Sequence, residues 1–228
     1  MKKLLILAAV AIMGLSASAQ FANSGSGSTT VSDNNGWSTV YAEWNPMTYY
    51  YTGKGDYDDT NFNAFSLGFS RAFALSQSTP IFLEAGLAAQ YGFHSDSDGD
   101  DNYEATIKYQ VLSLKVPVNF LYKWSIPNSS VELMPFLGLT MRGNLWGEEK
   151  YETSGKYADD DEETANLFDK KDMGSDGVWK RFQIGWQIGV KARFNNKFII
   201  GGSYGTDFNE ISKKCKFRTG SIMIGCTF

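Results

Sequence analysis

From Trp37 to the carboxy terminus, apolar residues alternate with small or polar ones in eight successive stretches separated by turn-forming residues. Successive side chains of a strand point to opposite faces, so this rhythm specifies strands with two unlike faces and leaves almost no sustained helical period. The stretches cover Trp37–Tyr50, Phe62–Leu75, Ile81–His94, Glu104–Trp124, Val131–Trp146, Val178–Phe194, Lys197–Phe208 and Lys216–Phe228. Their connections alternate in length. Ser76–Pro80, Ser125–Ser130 and Asn195–Asn196 are tight turns, whereas Tyr51–Asn61, Ser95–Tyr103, Gly147–Gly177 and Asn209–Cys215 are longer and mostly polar.

An even number of antiparallel strands, with short turns at one end and long loops at the other, is how outer-membrane barrels are arranged, the turns facing the periplasm. The expected fold is therefore all-β: a closed, eight-stranded, antiparallel up-and-down transmembrane barrel over residues 37–228, with both termini periplasmic. The composition of the faces chooses between this and a soluble barrel. One face of Ile81–His94 reads Ile81, Leu83, Ala85, Leu87, Ala89, Tyr91 and Phe93; the other reads Phe82, Glu84, Gly86, Ala88, Gln90, Gly92 and His94. Further along, Phe182, Ile184, Trp186, Ile188 and Val190 oppose Gln183, Gly185, Gln187, Gly189 and Lys191. The polar faces are rich in small residues and carry few charges, which suits a narrow lumen and not a watery exterior. Charges on the apolar faces stand only at strand ends, Arg71 and Arg218. A charge at mid-bilayer costs about 2–4 kcal/mol in such barrels and little near the interface. Tyr109 and Val111 are out of phase with Leu112, which implies a bulge in that strand or its extension above the bilayer.

The start of the chain agrees with this destination. Lys2 and Lys3, the apolar run Leu4–Leu15 and the small residues Ala17-Ser18-Ala19 read as a secretory signal peptide over 1–19. A Ser-, Gly- and Asn-rich stretch completes 20–36 as a flexible periplasmic leader. The net charge of −4 gives no electrostatic footprint for nucleic acid. Cys215 and Cys226, at the edge of and within the last stretch, lie roughly 36 Å apart at ~3.3 Å per residue if extended, too far for a disulfide with each other, which leaves them free or paired between chains.

The last residues, Ile222-Met223-Ile224-Gly225-Cys226-Thr227-Phe228, resemble the carboxy-terminal signal of outer-membrane proteins read by the barrel-assembly machinery. Tyr41-Ala42-Glu43-Trp44-Asn45-Pro46, Leu112–Val118, Pro135–Leu139 and Gly201–Gly205 resemble the outer-membrane β-barrel domain family of PorT-like proteins common in Bacteroidota. The resemblance implies an outer-membrane location, with membrane lipid and lipopolysaccharide as surroundings. It carries over no catalytic residue and no cofactor.

Several side chains are candidates for chemistry. Glu43, Glu84, Glu132, Lys115, Arg142, Lys191 and Arg193 point inward and nearly balance. They form either a salt-bridged plug or a narrow charged pathway, because eight strands leave a lumen just wide enough for side chains and buried charges need partners. His94, the single histidine, stands beside Ser95 and Asp96, but neighbours on an extended strand point apart and make no catalytic set. Asp96, Asp98, Asp100 and Asp101 form an acidic tip that is a weak candidate for Ca²⁺ or Mg²⁺. Against it, Asp101 stands where a calcium loop needs glycine, and Ile107 where it needs the bidentate Glu. Gly147–Gly177 is long for a compact domain, and such loops are functional or disordered. Within it Leu167 and Phe168 would anchor a short helix or meet a partner, which the sequence does not name. The expected role is structural or surface-interacting through the loops. A small pore or transport component is the alternative, and a lipid-modifying enzyme comes third.

Overall fold

The computed structural model describes residues 36–54, 58–76, 78–100, 103–154 and 161–228. The expected signal peptide and, apart from Gly36, the expected leader lie outside these described residues, as does Asp101. The strands are β1 (Trp37–Tyr51), β2 (Thr60–Ala74), β3 (Ile81–Asp100), β4 (Tyr103–Tyr122), β5 (Trp124–Ser125), β6 (Val131–Ser154), β7 (Asp161–Asn166), β8 (Phe182–Phe194), β9 (Phe198–Asp207) and β10 (Cys215–Thr227); the helix α1 is Lys170–Gly177. Eight of these strands form an antiparallel ring in the order β4-β3-β2-β1-β10-β9-β8-β6, and β6 pairs back onto β4. The short β5 and β7 add to β6 at its two ends.

Local chemistry sets the tight ends. Asn195 and Asn196 both take positive φ, 50° and 56°, the conformation of a two-residue hairpin turn whose twist matches the flanking strands and which Asn tolerates. Closure runs through the chain ends: β1 and β10 pair from Thr39↔Thr227 to Tyr51↔Cys215, so neither strand has an open edge along that length. Both cysteines lie in β10 and are free.

The ring is apolar outside and polar inside. Leu67, Phe120, Leu137, Ile188 and Ile224 are 52–71% exposed, while Glu84 and Arg193 are 2% exposed. This inversion decides the solvent. Apolar area on that scale, continuous around a closed ring, calls for hydrocarbon, and alternation of apolar-out with polar-in is the pattern of membrane-spanning barrels. Among the described residues no helix is long and apolar enough to cross a membrane; the strands cross. Aromatic side chains gather at both rims of the belt. Phe73, Tyr122, Trp124, Phe198 and Phe228 are exposed toward the turn end, and Tyr91, Phe93, Trp146 and Tyr204 toward the loop end. Arg71 and Arg218, two of the charges on the outer wall, stand at its margins. Arg71 Nη1 donates to Ser38 Oγ (2.9 Å) at the turn end, and the Arg218 guanidinium lies over the Tyr50 ring (4.6 Å) at the loop end.

Three expectations need correction. The expected loop Ser95–Tyr103 is mostly ladder: β3 and β4 stay paired from Ser95↔Lys108 to Asp100↔Tyr103. The expected loop Gly147–Gly177 continues β6 to Ser154, adds β7 and ends in α1. Polarity misled in both cases, because above a membrane both faces of a ladder meet water and polar residues no longer mark a loop. Val178–Arg181 is not strand; β8 starts at Phe182. Of the two readings of Tyr109 and Val111, extension holds for β4, which keeps its alternation and stays paired up to Tyr103, while a bulge sits in its partner β6. Leu112 pairs with Trp146 and Ser113 with Asn144, leaving Leu145 as the extra residue. Leu145 and Trp146 consequently both face outward, 48% and 42% exposed.

Candidate functional site: a sealed interior and a capped mouth

The inward faces bring together all seven expected charges, and two that the sequence reading did not single out, Lys123 and Asp207. Lys115 Nζ donates to Glu43 Oε2 (2.8 Å) and Asn45 Oδ1 (3.2 Å). Lys191 Nζ donates to Glu84 Oε2 (2.5 Å), and Glu84 also accepts from Ser70 Oγ (2.8 Å) and Asn119 Nδ2 (2.9 Å). Asn119 in turn accepts from Gln187 Nε2 (2.6 Å). Arg142 Nη2 meets Asp207 Oδ2 at 2.7 Å. Glu132 takes Arg193 Nε at 2.6 Å and lies 3.8 Å from Lys123 Nζ. Each of these inward carboxylates has a cation, as groups removed from water require. Lys123 and Asp207 share the inward parity of Lys115 and Ser203, and that parity was the available signal for them.

Side chains fill what the ring encloses. Cavities between these side chains include ones of about 30, 30 and 20 Å³, each large enough for one or two waters at most. The packing depends on bare backbone in places. A Cβ on Gly138 would stand 2.1 Å from Asn119 Oδ1 and 2.4 Å from the Val118 carbonyl oxygen. At the turn end an apolar floor lies beneath the ions. Trp37 and Phe82 rings meet at 4.8 Å, joined by buried Leu121 and Met134, with the Arg193 guanidinium 4.2 Å over Trp37.

The loop end is closed by the segment that follows β7, residues 167–181, which folds back over the mouth. Leu167 is fully buried there, with Trp179 and with Ile211 from the β9–β10 connection. The Trp179 indole stacks near-parallel between Tyr49 (6.0 Å, 13°) and Tyr109 (6.4 Å, 8°), with Phe62 and Phe217 rings at 6.0 and 5.6 Å. Backbone bonds hold this strap: Trp179 N donates to Leu167 O (2.7 Å) and Lys180 N to Ile211 O (2.6 Å). Outside it, Lys213 Nζ pairs with Asp176 Oδ2 (2.8 Å). Asp169 caps α1 by accepting from Lys171 N (2.9 Å). Leu167 thus anchors both the short helix and the mouth. Trp179 carried no signal in its neighbourhood, since Val178-Trp179 reads equally well as the start of a strand.

The remaining candidates sit on the rim. His94 Nδ1 is hydrogen-bonded to the Asn61 carbonyl oxygen (2.7 Å), and its ring packs on Phe62 (5.1 Å) and Tyr109 (6.0 Å). Ser95 and Asp96 pair in register with Lys108 and Ile107. The structure therefore places His94 in the aromatic layer, with no carboxylate in ion-pair contact among the described residues. Asp96 and Asp98 are exposed on the projecting β3 ladder, and Asp100 ends it. Among the described residues no group of three or more His, Cys, Asp or Glu is placed to hold a metal ion.

No family model matches the chain. No curated protein sequence matches it either. Among solved structures the chain is similar to Ail, the attachment invasion locus protein of Yersinia pestis (14% identity, 85% of this chain and 99% of that one, TM-score 0.42). It is similar also to Neisserial surface protein A (13%, 84% and 97%, TM-score 0.43) and to the outer membrane enzyme PagL (14%, 82% and 97%, TM-score 0.45). The identification as a membrane-spanning eight-stranded barrel rests on this chain's own closed ladder and inverted polarity.

Proposed function

We propose that this protein is an integral component of a bacterial outer membrane, in which the barrel is a sealed support and the projecting loop end does the work, in a structural or surface-interaction role. One observation carries the proposal: the lumen is blocked three times over, by an apolar floor, a paired ionic middle and an aromatic lid. The reading includes the signal peptide over 1–19, the periplasmic leader over 20–36 and both termini at the periplasm. It also includes recognition of the Phe228 segment by the barrel-assembly machinery and kinship with the PorT-like Bacteroidota family. Supporting it are the basic-apolar-small order of the first residues, the even ring and the aromatic last residue.

The orientation has a direct test. With Cys215 and Cys226 replaced by Ser, Ser175→Cys on the exposed turn of α1 should be labelled in intact cells by a membrane-impermeant maleimide. Labelling only after lysis would contradict the proposal. A pore remains the second reading, because the small cavities lie within one lumen beside its charged side chains; conductance separates the two.

A further inference from the structure

The outer wall is not evenly filled. Across β10, β1, β2 and β3 the rung Ile224–Ala42–Leu67–Ala89 lies just below the rung Ile222–Trp44–Phe65–Tyr91. Alanines at two positions of the lower rung leave a furrow of about 660 Å³, lined almost wholly by apolar side chains. The two large rings at its upper edge are fixed from the loop side. Trp44 Nε1 donates to Asn63 Oδ1 (3.1 Å), and Tyr91 Oη donates to Gln110 Oε1 (2.8 Å). Their polar atoms therefore point toward the headgroup level and their apolar bodies toward hydrocarbon, the usual arrangement at a membrane interface.

Above the furrow the same strand pair carries positive charge. Going up β10 from Ile222, the outward positions are Gly220, beside Pro46, then Arg218 and Lys216, paired with Thr48 and Tyr50 of β1. Among the described residues neither cation forms an ion pair within 4.0 Å of a carboxylate, although the inward Asp207, itself paired with Arg142, is near enough to attract Lys216. Arg218 lies over the Tyr50 ring (4.6 Å), and Lys216 Nζ donates to the Phe208 carbonyl oxygen (2.8 Å). Lys108, Lys150 and Lys213, by contrast, are all in ion pairs. From Ala42 to Thr48 is about 20 Å along a strand, or about 15 Å of depth at the usual tilt. An acyl chain hung from a phosphate at Arg218 reaches down that distance.

We infer that this face holds one lipid specifically: a phosphorylated, acylated glycolipid of the outer leaflet, its phosphate on Arg218 and Lys216 and one acyl chain in the Ala42–Ala89 furrow. The inference rests on the membrane-barrel orientation proposed above and adds to it a site and a ligand class. Apolar burial holds the chain, and a charge-assisted bond from a planar guanidinium selects phosphate over a neutral headgroup.

Native mass spectrometry of the folded protein in neutral detergent tests this with three probes: diphosphorylated lipid A, its dephosphorylated form and a phosphate-free diacylglycerol. Lipid A should remain bound, and the other two should be retained at least about tenfold less, the worth of one charge-assisted hydrogen bond. Arg218→Gln should remove that preference, and Ala42→Leu/Ala89→Leu, which fills the furrow with tolerated apolar bulk, should reduce lipid A retention by a similar factor. Equal retention of the three lipids, or loss of neither effect in the variants, overturns the site. Each sample is first checked for the mobility difference between heated and unheated protein that marks a folded barrel. A wild-type chain lacking that difference defeats the barrel reading itself, and the lipid site falls with it.

Discussion

Lys115 Nζ lies 2.8 Å from Glu43 Oε2, and the two residues belong to β4 and β1, strands separated in the ring by β2 and β3. The ion pair therefore crosses the lumen; it does not run along the wall. Lys191 and Glu84 do the same from β8 and β3. Struts of this kind brace the middle of the ring, between the apolar floor and the aromatic lid. They also occupy the space through which a solute would pass.

If the struts are structural, removing half of one should be worse than removing both halves. Lys191→Met leaves Glu84, 2% exposed, without its cation, and stripping one partner from a buried pair costs about 3–5 kcal/mol. Glu84→Gln/Lys191→Met should recover most of that loss. Urea unfolding from lipid vesicles measures both, and a double-mutant cycle isolates the pair. A single variant as stable as the parent would show the pair to be dispensable.

The lid should come off without the ring opening. Trp179 is 7% exposed in the mouth, and truncating a buried aromatic to Ala costs about 3–5 kcal/mol, more than a strap anchored by a few side chains can lose and stay docked. In Trp179→Ala, trypsin should cut after Lys180 or Arg181 at least tenfold faster, while the heat-dependent gel mobility of the barrel is unchanged. Unaltered cleavage would mean that the indole does not hold the strap.

How much of this could be read without coordinates depended on which solvent each side chain meets. Around Glu84 the neighbours Leu83 and Ala85 face lipid, so every second position is constrained and the alternation exposed both the barrel and its inward charges. Above the belt that constraint disappears. Ser95–Gly99 and Glu148–Ser154 are exposed or half-buried on both faces, so a ladder there resembles a loop. Leu145 hid its bulge because an extra apolar residue on an apolar wall changes nothing in composition. Trp179 and Ile211 were illegible for another reason: they enter the mouth from connections far apart in the chain, and no local period marks such a meeting. The lipid furrow depends on Ala42 and Ala89 standing in one rung, which only the register reveals.

The outer tether of the strap should respond to acid. The hydrogen bond from Lys213 holds the Asp176 carboxyl below its ordinary 3.8, and the same contact raises Lys213 above 10.5. A depressed carboxylate contributes above its unfolded value and loses that contribution as pH falls through the folded one. The raised ammonium contributes below its ordinary value and loses it in strong alkali. The tether is thus constant near neutrality and weakens below about pH 4. Both groups are exposed, so the effect is small and salt-sensitive. Hydrogen exchange of the α1 amides, corrected for intrinsic rates, should show protection falling between pH 6 and pH 3, and Lys213→Gln should lack that fall. The same fall in both proteins would place the acid response elsewhere.

Whether the lumen is closed is settled most directly by electrical recording from the purified, homogeneous protein in planar bilayers. With floor, ionic middle and lid all in place, no steady current should appear above the bare membrane at voltages a lipid bilayer withstands. A reproducible ohmic conductance that scales with the amount of folded protein would contradict the account, because ions would then be passing where Lys115, Glu43, Lys191 and Glu84 are placed.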